Sequence, residues 1–303
     1  MKLVAPTRSS VLIIGESGTG KELVASALHR ASPRRNERFL AINCGAIPSD
    51  ILESELFGHE RGAFTGAVSR KIGKFELAHR GSLFLDEISE LYPELQVKLL
   101  RVLEERQVMR VGGSELIDVD FRLIAATNRD LEKEVSEGRF REDLYYRLKV
   151  VTLRIPPLRE RPGDIPRLAE HFLNLFCQEH GKPAKTLAPE TLELLSRYAW
   201  PGNVRELKNV LESLVIFHQE GPVLPADLPA EVRESPHLST TGTPVQSLVG
   251  EPRTMAEIER QAILETLGRT AGHRAKAADI LGIGLRTLQR KLREYKDDGL
   301  LQD

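Results

Sequence analysis

Between residues 11 and 156, short β-branched or apolar runs alternate with longer stretches of helical pattern, and this alternation constrains the fold more than any other feature. The runs fall at residues 11–14, 39–42, 82–85, 121–126 and 150–155. Between them, residues 91–105 carry Leu95, Leu99 and Leu103 on one face at helical spacing. Strands that alternate with helices predict a mostly parallel sheet covered on both sides, an α/β fold. From Pro162 to about Leu228 the strands stop and helical patterns continue. The clearest spans 204–217, with Leu207, Val210, Leu211 and Leu214 after Pro201-Gly202. Residues 229–253 are rich in Pro, Ser, Thr and Gly, show no period and read as a linker. Helical patterns return at 254–267 and 273–295.

The first run leads straight into Gly15-Glu16-Ser17-Gly18-Thr19-Gly20-Lys21-Glu22, which fits the phosphate loop G-x-x-x-x-G-K between a strand and a helix. Glycines let backbone N–H groups turn inward around phosphate oxygens, and the helix N-terminus adds partial positive charge. Lys21 is placed to reach the β- and γ-phosphates. Glu22 stands where the generic pattern has the Ser or Thr whose hydroxyl binds magnesium. A Mg2+ ion would therefore lean on Asp86, waters and the phosphates. Asp86 and Glu87 end the third apolar run, Ser82-Leu83-Phe84-Leu85. Asp86 suits the metal, and Glu87 suits orienting or deprotonating the attacking water. Thr127-Asn128 end the next run. Asn128 either brings an amide to the γ-phosphate or the water, or simply closes a strand.

The 303 residues, 41% hydrophobic and 29% charged, describe a soluble globular chain with a sizeable core, and the net charge of −1 excludes a generic polyanion binder. Nucleic-acid contact must then come from a local basic patch. Residues 271–296 hold seven Lys/Arg against Asp279 and Glu294, about +5. Ala277 to Leu292 read as helix, glycine turn (Gly282, Gly284) and helix, a helix-turn-helix layout. Ile280, Leu281, Ile283, Leu288 and Leu292 are its expected core. Arg286, Thr287, Gln289, Arg290 and Arg293 project toward a major groove. No signal-peptide core and no membrane-length apolar run occur, and Cys44 and Cys177 lack metal-ligand spacing. Two reduced thiols in a cytoplasmic protein are expected.

At Gly62-Ala63-Phe64-Thr65-Gly66-Ala67 the chain resembles the AAA+ activators of sigma-54 RNA polymerase, the bacterial enhancer-binding proteins of the NtrC type. It matches their GAFTGA hexapeptide at every position. Family-like stretches also include the phosphate loop with its Glu22, residues 140–148, Pro156-Pro157-Leu158-Arg159-Glu160-Arg161, and Trp200-Pro201-Gly202-Asn203-Val204-Arg205-Glu206-Leu207. The resemblance covers nearly the whole chain apart from the linker. It implies an AAA+ α/β subdomain at 1–156, a helical lid at 157–228, and, after the linker at 229–253, a separate all-α Fis-type helix-turn-helix domain at 254–303. It further implies that Asn43 is a switch asparagine holding Glu87, and that Arg141 and Arg147 are fingers inserted into a neighbour's site. Arg205 becomes a lid arginine touching the γ-phosphate, and Phe64 and Thr65 become contacts to the sigma factor. An uncharged loop with one aromatic at a glycine-flanked tip fits a contact surface on its own physics. A second loop, 106–113, is expected beside the first or as a plain hairpin.

The implied partners are sigma-54 RNA polymerase, double-stranded upstream DNA and further copies of the chain. The copies would form a hexamer or heptamer ring through the ATPase and a dimer through the C-terminal domain, with no membrane. The implied activity is ATP hydrolysis driving polymerase remodelling. A DNA-binding AAA+ regulator that does not remodel polymerase is the alternative, but relatives of that kind have a degraded hexapeptide and this one is intact. A generic AAA+ motor does not explain hexapeptide and helix-turn-helix together. Family members also carry an adenine-cradling segment before the first strand, often after a receiver domain. With only ten residues ahead of Val11, weakened ATP affinity relative to an upstream-extended version is expected.

Overall fold

The structure, a computed structural model, describes residues 3–218 and 221–234, and residues 263, 266, 270, 273, 274, 276, 278, 287, 288 and 290–292 of a second unit. In the first unit the strands are β1 (Val11–Ile14), β2 (Phe39–Asn43), β3 (Gly58–His59), β4 (Lys71–Ile72), β5 (Ser82–Asp86), β6 (Gln107–Met109), β7 (Leu116–Asp118), β8 (Arg122–Thr127) and β9 (Val151–Arg154). The helices of its α/β part are α1 (Lys21–Arg30), α2 (Ser49–Phe57), α3 (Lys74–Leu77), α4 (Pro93–Glu105), α5 (Leu131–Ser136) and α6 (Glu142–Leu148). After them come α7 (Ile165–Glu179), α8 (Pro189–Arg197), α9 (Asn203–Phe217) and α10 (Ala230–Arg233).

Five parallel strands form the central sheet in the order β2-β5-β8-β1-β9. Alternate side chains on each strand feed two different cores, which is why the strands read as unbroken apolar runs. Leu12, Leu83, Leu85, Leu123 and Ala125 face the larger core with α2, α4 and α6. Val11, Ile13, Phe84, Ile124 and Ala126 face Ala25 and Leu28 of α1. From β1 the chain passes through α1 to the far edge at β2, returns by β5 and β8, and then crosses from β8 past β1 to β9, so the C-terminal end of β1 lies at the switch point where open α/β sheets bind ligands.

The lid has its own core. Ile165, Ala169, Leu173 and Phe176 of α7 pack with Leu207, Leu211, Leu214 and Val215 of α9 around the fully buried Trp200. The Trp200 indole N–H donates to Leu195 O at 2.8 Å, so both faces of its chemistry are satisfied. Truncating a buried Trp of this kind costs about 3–5 kcal/mol. The stretch expected to open the linker instead begins with α10. Its Val232 is buried in the lid core, and one apolar residue in a four-residue helix is too little to register as a period. The helix α4 starts at Pro93 rather than residue 91, because the residue before a proline is held extended and Tyr92 has ψ 153°.

In the second unit, the described residues 274, 276, 278, 287, 288 and 290–292 are helical, and Ile263, Ala278 and Leu288 are buried. Leu288 thus takes its expected core place, with Leu292 half-buried and Arg290 exposed. Thr287 is half-buried. Arg286, Gln289, Arg293, Ile280, Leu281, Ile283, Gly282 and Gly284 lie outside the described residues.

Candidate functional site

The phosphate loop runs from the end of β1 into α1. Gly15 N–H donates to Thr127 O, which ties the loop to β8. Gly20 caps α1 with φ 95°. The N–H groups of Gly18, Gly20, Lys21 and Glu22 donate to no described protein group and so form a ring of free donors at a helix N-terminus. The Lys21 ammonium is buried and bonded to Gly15 O (2.9 Å) and Glu16 O (3.0 Å). Burial pushes its pKa down, against the charges of Asp86 and Glu87, which push it up. These features fit a polyphosphate.

Asp86 and Glu87 stand half-buried at the end of β5. Glu87 takes a left-handed φ of 53°, unusual for a residue with a side chain, and its N–H donates to Asp86 Oδ1. A Cβ on Gly45 would lie 2.3 Å from Glu87 Oε2 and 3.5 Å from Asn43 Oδ1. Carboxylate and amide therefore flank one glycine. They are not hydrogen-bonded to each other: Asn43 Oδ1 accepts from the N–H groups of Gly45 (2.8 Å) and Ala46 (3.0 Å). The neighbouring Cys44 thiol is pushed up to about 12 by burial and then by Asp86 and Glu87, so it is inert. Cys177 is likewise buried and unpaired. No group of three or more His, Cys, Asp or Glu able to hold a metal occurs among the described residues. With Glu22 exposed and the Thr19 hydroxyl bonded to Glu16 O, a magnesium ion would rest on Asp86 and phosphate oxygens.

Asn128 follows β8 and, with Gly15, Glu16 and Ile155, lines a cavity of about 470 Å³ beside the loop. Arg205 lies in the first turn of α9 and its Nη1 donates to Ser17 Oγ at 3.1 Å. Arg141 and Arg147 are elsewhere. Arg141 is exposed and paired with Asp143 (2.6 Å), and Arg147 Nη2 donates to Leu103 O (3.0 Å). Neither reaches the phosphate loop of its own chain. Three residues without an assigned role do reach it. Arg159 pairs with Glu16 through both terminal nitrogens (2.9 and 2.6 Å), Arg161 Nη2 donates to Thr19 O (3.1 Å), and Asn203 Nδ2 donates to Glu16 and to Ser17 O. Their motifs were visible in sequence, but their target was a long-range contact.

Arg159, and after it Asn203, hold the Glu16 carboxyl down at about 2, below its ordinary 4.5. A depressed pKa stabilises above the unfolded value and the benefit fades as pH falls below it. The melting-temperature difference between the parent and Glu16→Gln should therefore be constant from about pH 8 to about pH 5 and shrink below about pH 4.5. A difference that changes near neutrality would contradict this pairing.

The hexapeptide sits on a projection whose neck is the β3–β4 pair. Gly58, at φ 76°, is required there: a Cβ would meet Lys71 O at 2.5 Å. At the tip, Gly62 and Gly66 both have positive φ, Thr65 is exposed and Phe64 is 46% exposed, its ring edge-on to His59 at 5.0 Å. Ala67 is buried and Ala63 half-buried, so the accessible surface belongs to Gly62, Phe64, Thr65 and Gly66. The second loop is both a hairpin, β6–β7, and a neighbour of the first. A Cβ on Gly112 would lie 2.7 Å from Ala63 Cβ, the Glu60 N–H donates to Val111 O, and the Val111 N–H donates to Gly58 O. Beneath them the buried Arg110 binds Glu76 (2.8 and 2.6 Å) and Glu60 (2.8 Å). These bonds raise its pKa further, so the charge is permanent.

A family model described as Sigma-54 interaction domain matches residues 1–154, an AAA+ ATPase lid domain matches 159–244, and a bacterial regulatory protein Fis family matches 254–295. The chain belongs to the sigma-54 interaction domain family. It is 51% identical over 293 residues to the transcriptional regulatory protein ZraR of Klebsiella oxytoca, covering 96% of this chain and 64% of that protein. It is 49% identical over 305 residues to the DNA-binding transcriptional regulator NtrC of Escherichia coli K12, covering 94% of this chain and 65% of that one. Among solved structures, NtrX from Brucella abortus aligns with a TM-score of 0.76 at 36% identity, over 97% of this chain and 65% of that one. NtrX has also been solved in complex with ATP, with a TM-score of 0.73 and the same 36% identity, covering 97% of this chain and 65% of that one. The chain thus spans just under two thirds of the length of these relatives. No helix among the described residues is long and apolar enough to cross a membrane.

Proposed function

We propose that this chain hydrolyses ATP to remodel sigma-54 RNA polymerase through the 62–67 loop, while a C-terminal helix-turn-helix holds upstream DNA. The observation that carries the reading is the loop itself: an uncharged tip, with Phe64 and Thr65 exposed, on a neck braced by the buried Arg110 bound to Glu76 and Glu60. A large exposed aromatic on a braced, glycine-hinged projection has the makeup of a contact surface.

In the nucleotide site, Lys21 and the free N–H groups of Gly18, Gly20, Lys21 and Glu22 bind phosphates, and Arg205 approaches from the lid. Glu87 orients and deprotonates the attacking water, with Asn43 beside it. Asp86 would hold a magnesium ion, which when bound would supply positive charge against the developing phosphoryl charge. Asn128 lies at the strand end nearest the loop. Thr287 and Arg290, with Arg286, Gln289 and Arg293, contact DNA, in a dimer of C-terminal domains.

Arg141 and Arg147 act on a neighbour's phosphates in a ring of six or seven copies. Each such finger is worth about 10³–10⁵ in rate. A subunit carrying Arg147→Ala keeps Glu87, and one carrying Glu87→Gln keeps Arg147. Mixing the two inactive variants should restore part of the ATPase, measured as phosphate release. No restoration with Arg147→Ala, but restoration with Arg141→Ala, would make Arg141 the dominant finger; failure of both would strike the arrangement.

The direct test supplies purified full chain to a sigma-54 RNA polymerase closed complex. Promoter melting, read by permanganate reactivity, should appear with ATP and not with a non-hydrolysable analogue. Hydrolysis without melting would leave an ATPase with a different target.

A further inference from the structure

Three consecutive carbonyls of the phosphate loop are all held by the lid side of the molecule. Ser17 O accepts from Asn203 Nδ2 (3.1 Å), Gly18 O from the N–H groups of Val204 (3.0 Å) and Arg205 (3.3 Å), and Thr19 O from Arg161 Nη2 (3.1 Å). These Val204 and Arg205 N–H groups belong to the first turn of α9, which has no side-chain cap, so the loop carbonyl serves as one. Gly18 is obligatory at this junction, since a Cβ there would lie 2.3 Å from Gly202 O.

Asn203 is the centre of the contact. It is fully buried, and it holds a left-handed φ of 53° although it carries a side chain. Its Oδ1 accepts the Leu158 N–H (2.8 Å), and its Nδ2 donates to Ser17 O and to Glu16 Oε2, both at 3.1 Å. Only a side-chain amide offers an acceptor and two donors at this reach. Strain of this kind persists where the surroundings over-determine it, and it clusters at functional sites. The Arg161 Nε, buried without a partner, is a second tolerated cost at the same contact.

Peptide planarity gives the contact its consequence. The Ser17 carbonyl shares a rigid plane with the Gly18 N–H, and the Thr19 carbonyl with the Gly20 N–H. Fixing the outer oxygens therefore aims the inner donors. We propose that Asn203 is a positioning residue for phosphate binding, setting the peptide planes of the loop from the lid with Arg159 and Arg161 in support. The proposal rests on the nucleotide reading above and extends it to residues that touch no phosphate. Lid orientation and phosphate affinity become one coupled quantity.

The test titrates a fluorescent ATP derivative into the full chain and its variants. Asn203→Asp keeps the acceptor for Leu158, loses both donor contacts and faces Glu16 with like charge. Its dissociation constant should rise about tenfold or more. Arg159→Gln, at an exposed position, should raise it severalfold while lowering the melting temperature in the absence of nucleotide no further than Glu16→Gln does, since both variants lose the same ion pair. In both, hydrogen exchange of residues 15–22 should quicken while that of the central strands stays slow, a pattern that general destabilisation does not produce. Unchanged affinity in Arg159→Gln overturns the proposal, whether or not Asn203→Asp folds. An unmodified chain that binds no nucleotide would strike the proposed function instead.

Discussion

Replacing Glu87 by Gln is expected to lower ATP hydrolysis by about 10²–10⁴-fold, the usual contribution of a positioned general base, while ATP binding stays within about twofold. Gln keeps the shape of the side chain and loses only its basicity. The backbone fixes the position: Glu87 is held in a left-handed conformation just past β5, with its carboxylate against Gly45 and in no hydrogen bond with the phosphate loop. A non-glycine residue in that conformation costs of order 1–3 kcal/mol, which is consistent with the role proposed for Glu87. Phosphate release and a fluorescent ATP titration give the two numbers. Undiminished hydrolysis would assign the water to another group, and equal loss of binding would make Glu87 a structural residue.

The sheet was legible from sequence because its strands are buried on both faces, so that the stretches 11–14 and 82–85 stand out as apolar runs. The proposed catalytic pair, Asp86 and Glu87, stands out in sequence because it ends an apolar run downstream of a glycine-rich loop. What stayed hidden depends on distant contacts. The two-residue strands at the neck of the projection carry no period, and Asn203 finds its partners across 187 residues of chain at Glu16. The amide of Asn43 sits beside Glu87 but bonds to local backbone instead, a preference that a sequence motif does not encode. Arg141 and Arg147 bond to Asp143 and Leu103 rather than to their own phosphate loop, and no pattern within one chain says where an exposed arginine goes.

In the proposed function the projecting loop makes the contact and the phosphate-loop site carries the catalysis. Thr65 is exposed, and among the described residues it has no side-chain hydrogen bond, ion pair or ring contact. Its truncation should therefore leave stability within about 0.5 kcal/mol. Phe64 rests edge-on against His59, whose ring nitrogens meet Ser54 Oγ (2.7 Å) and Ser69 O (3.0 Å), so the aromatic is supported from below while its outer side stays open. Beneath that, Arg110 joins the two loops to Glu76. A contact made only by the tip is then removable without disturbing the nucleotide site.

Thr65→Ala provides the most direct measurement. ATP hydrolysis and promoter melting by sigma-54 RNA polymerase are read on the same preparation. The expected result is hydrolysis near the parent rate with melting reduced about tenfold or more, the size of an interface hot spot. Melting at the parent level would contradict the assignment of this loop to the polymerase, and the protein would remain an ATPase with a DNA-binding end and another target.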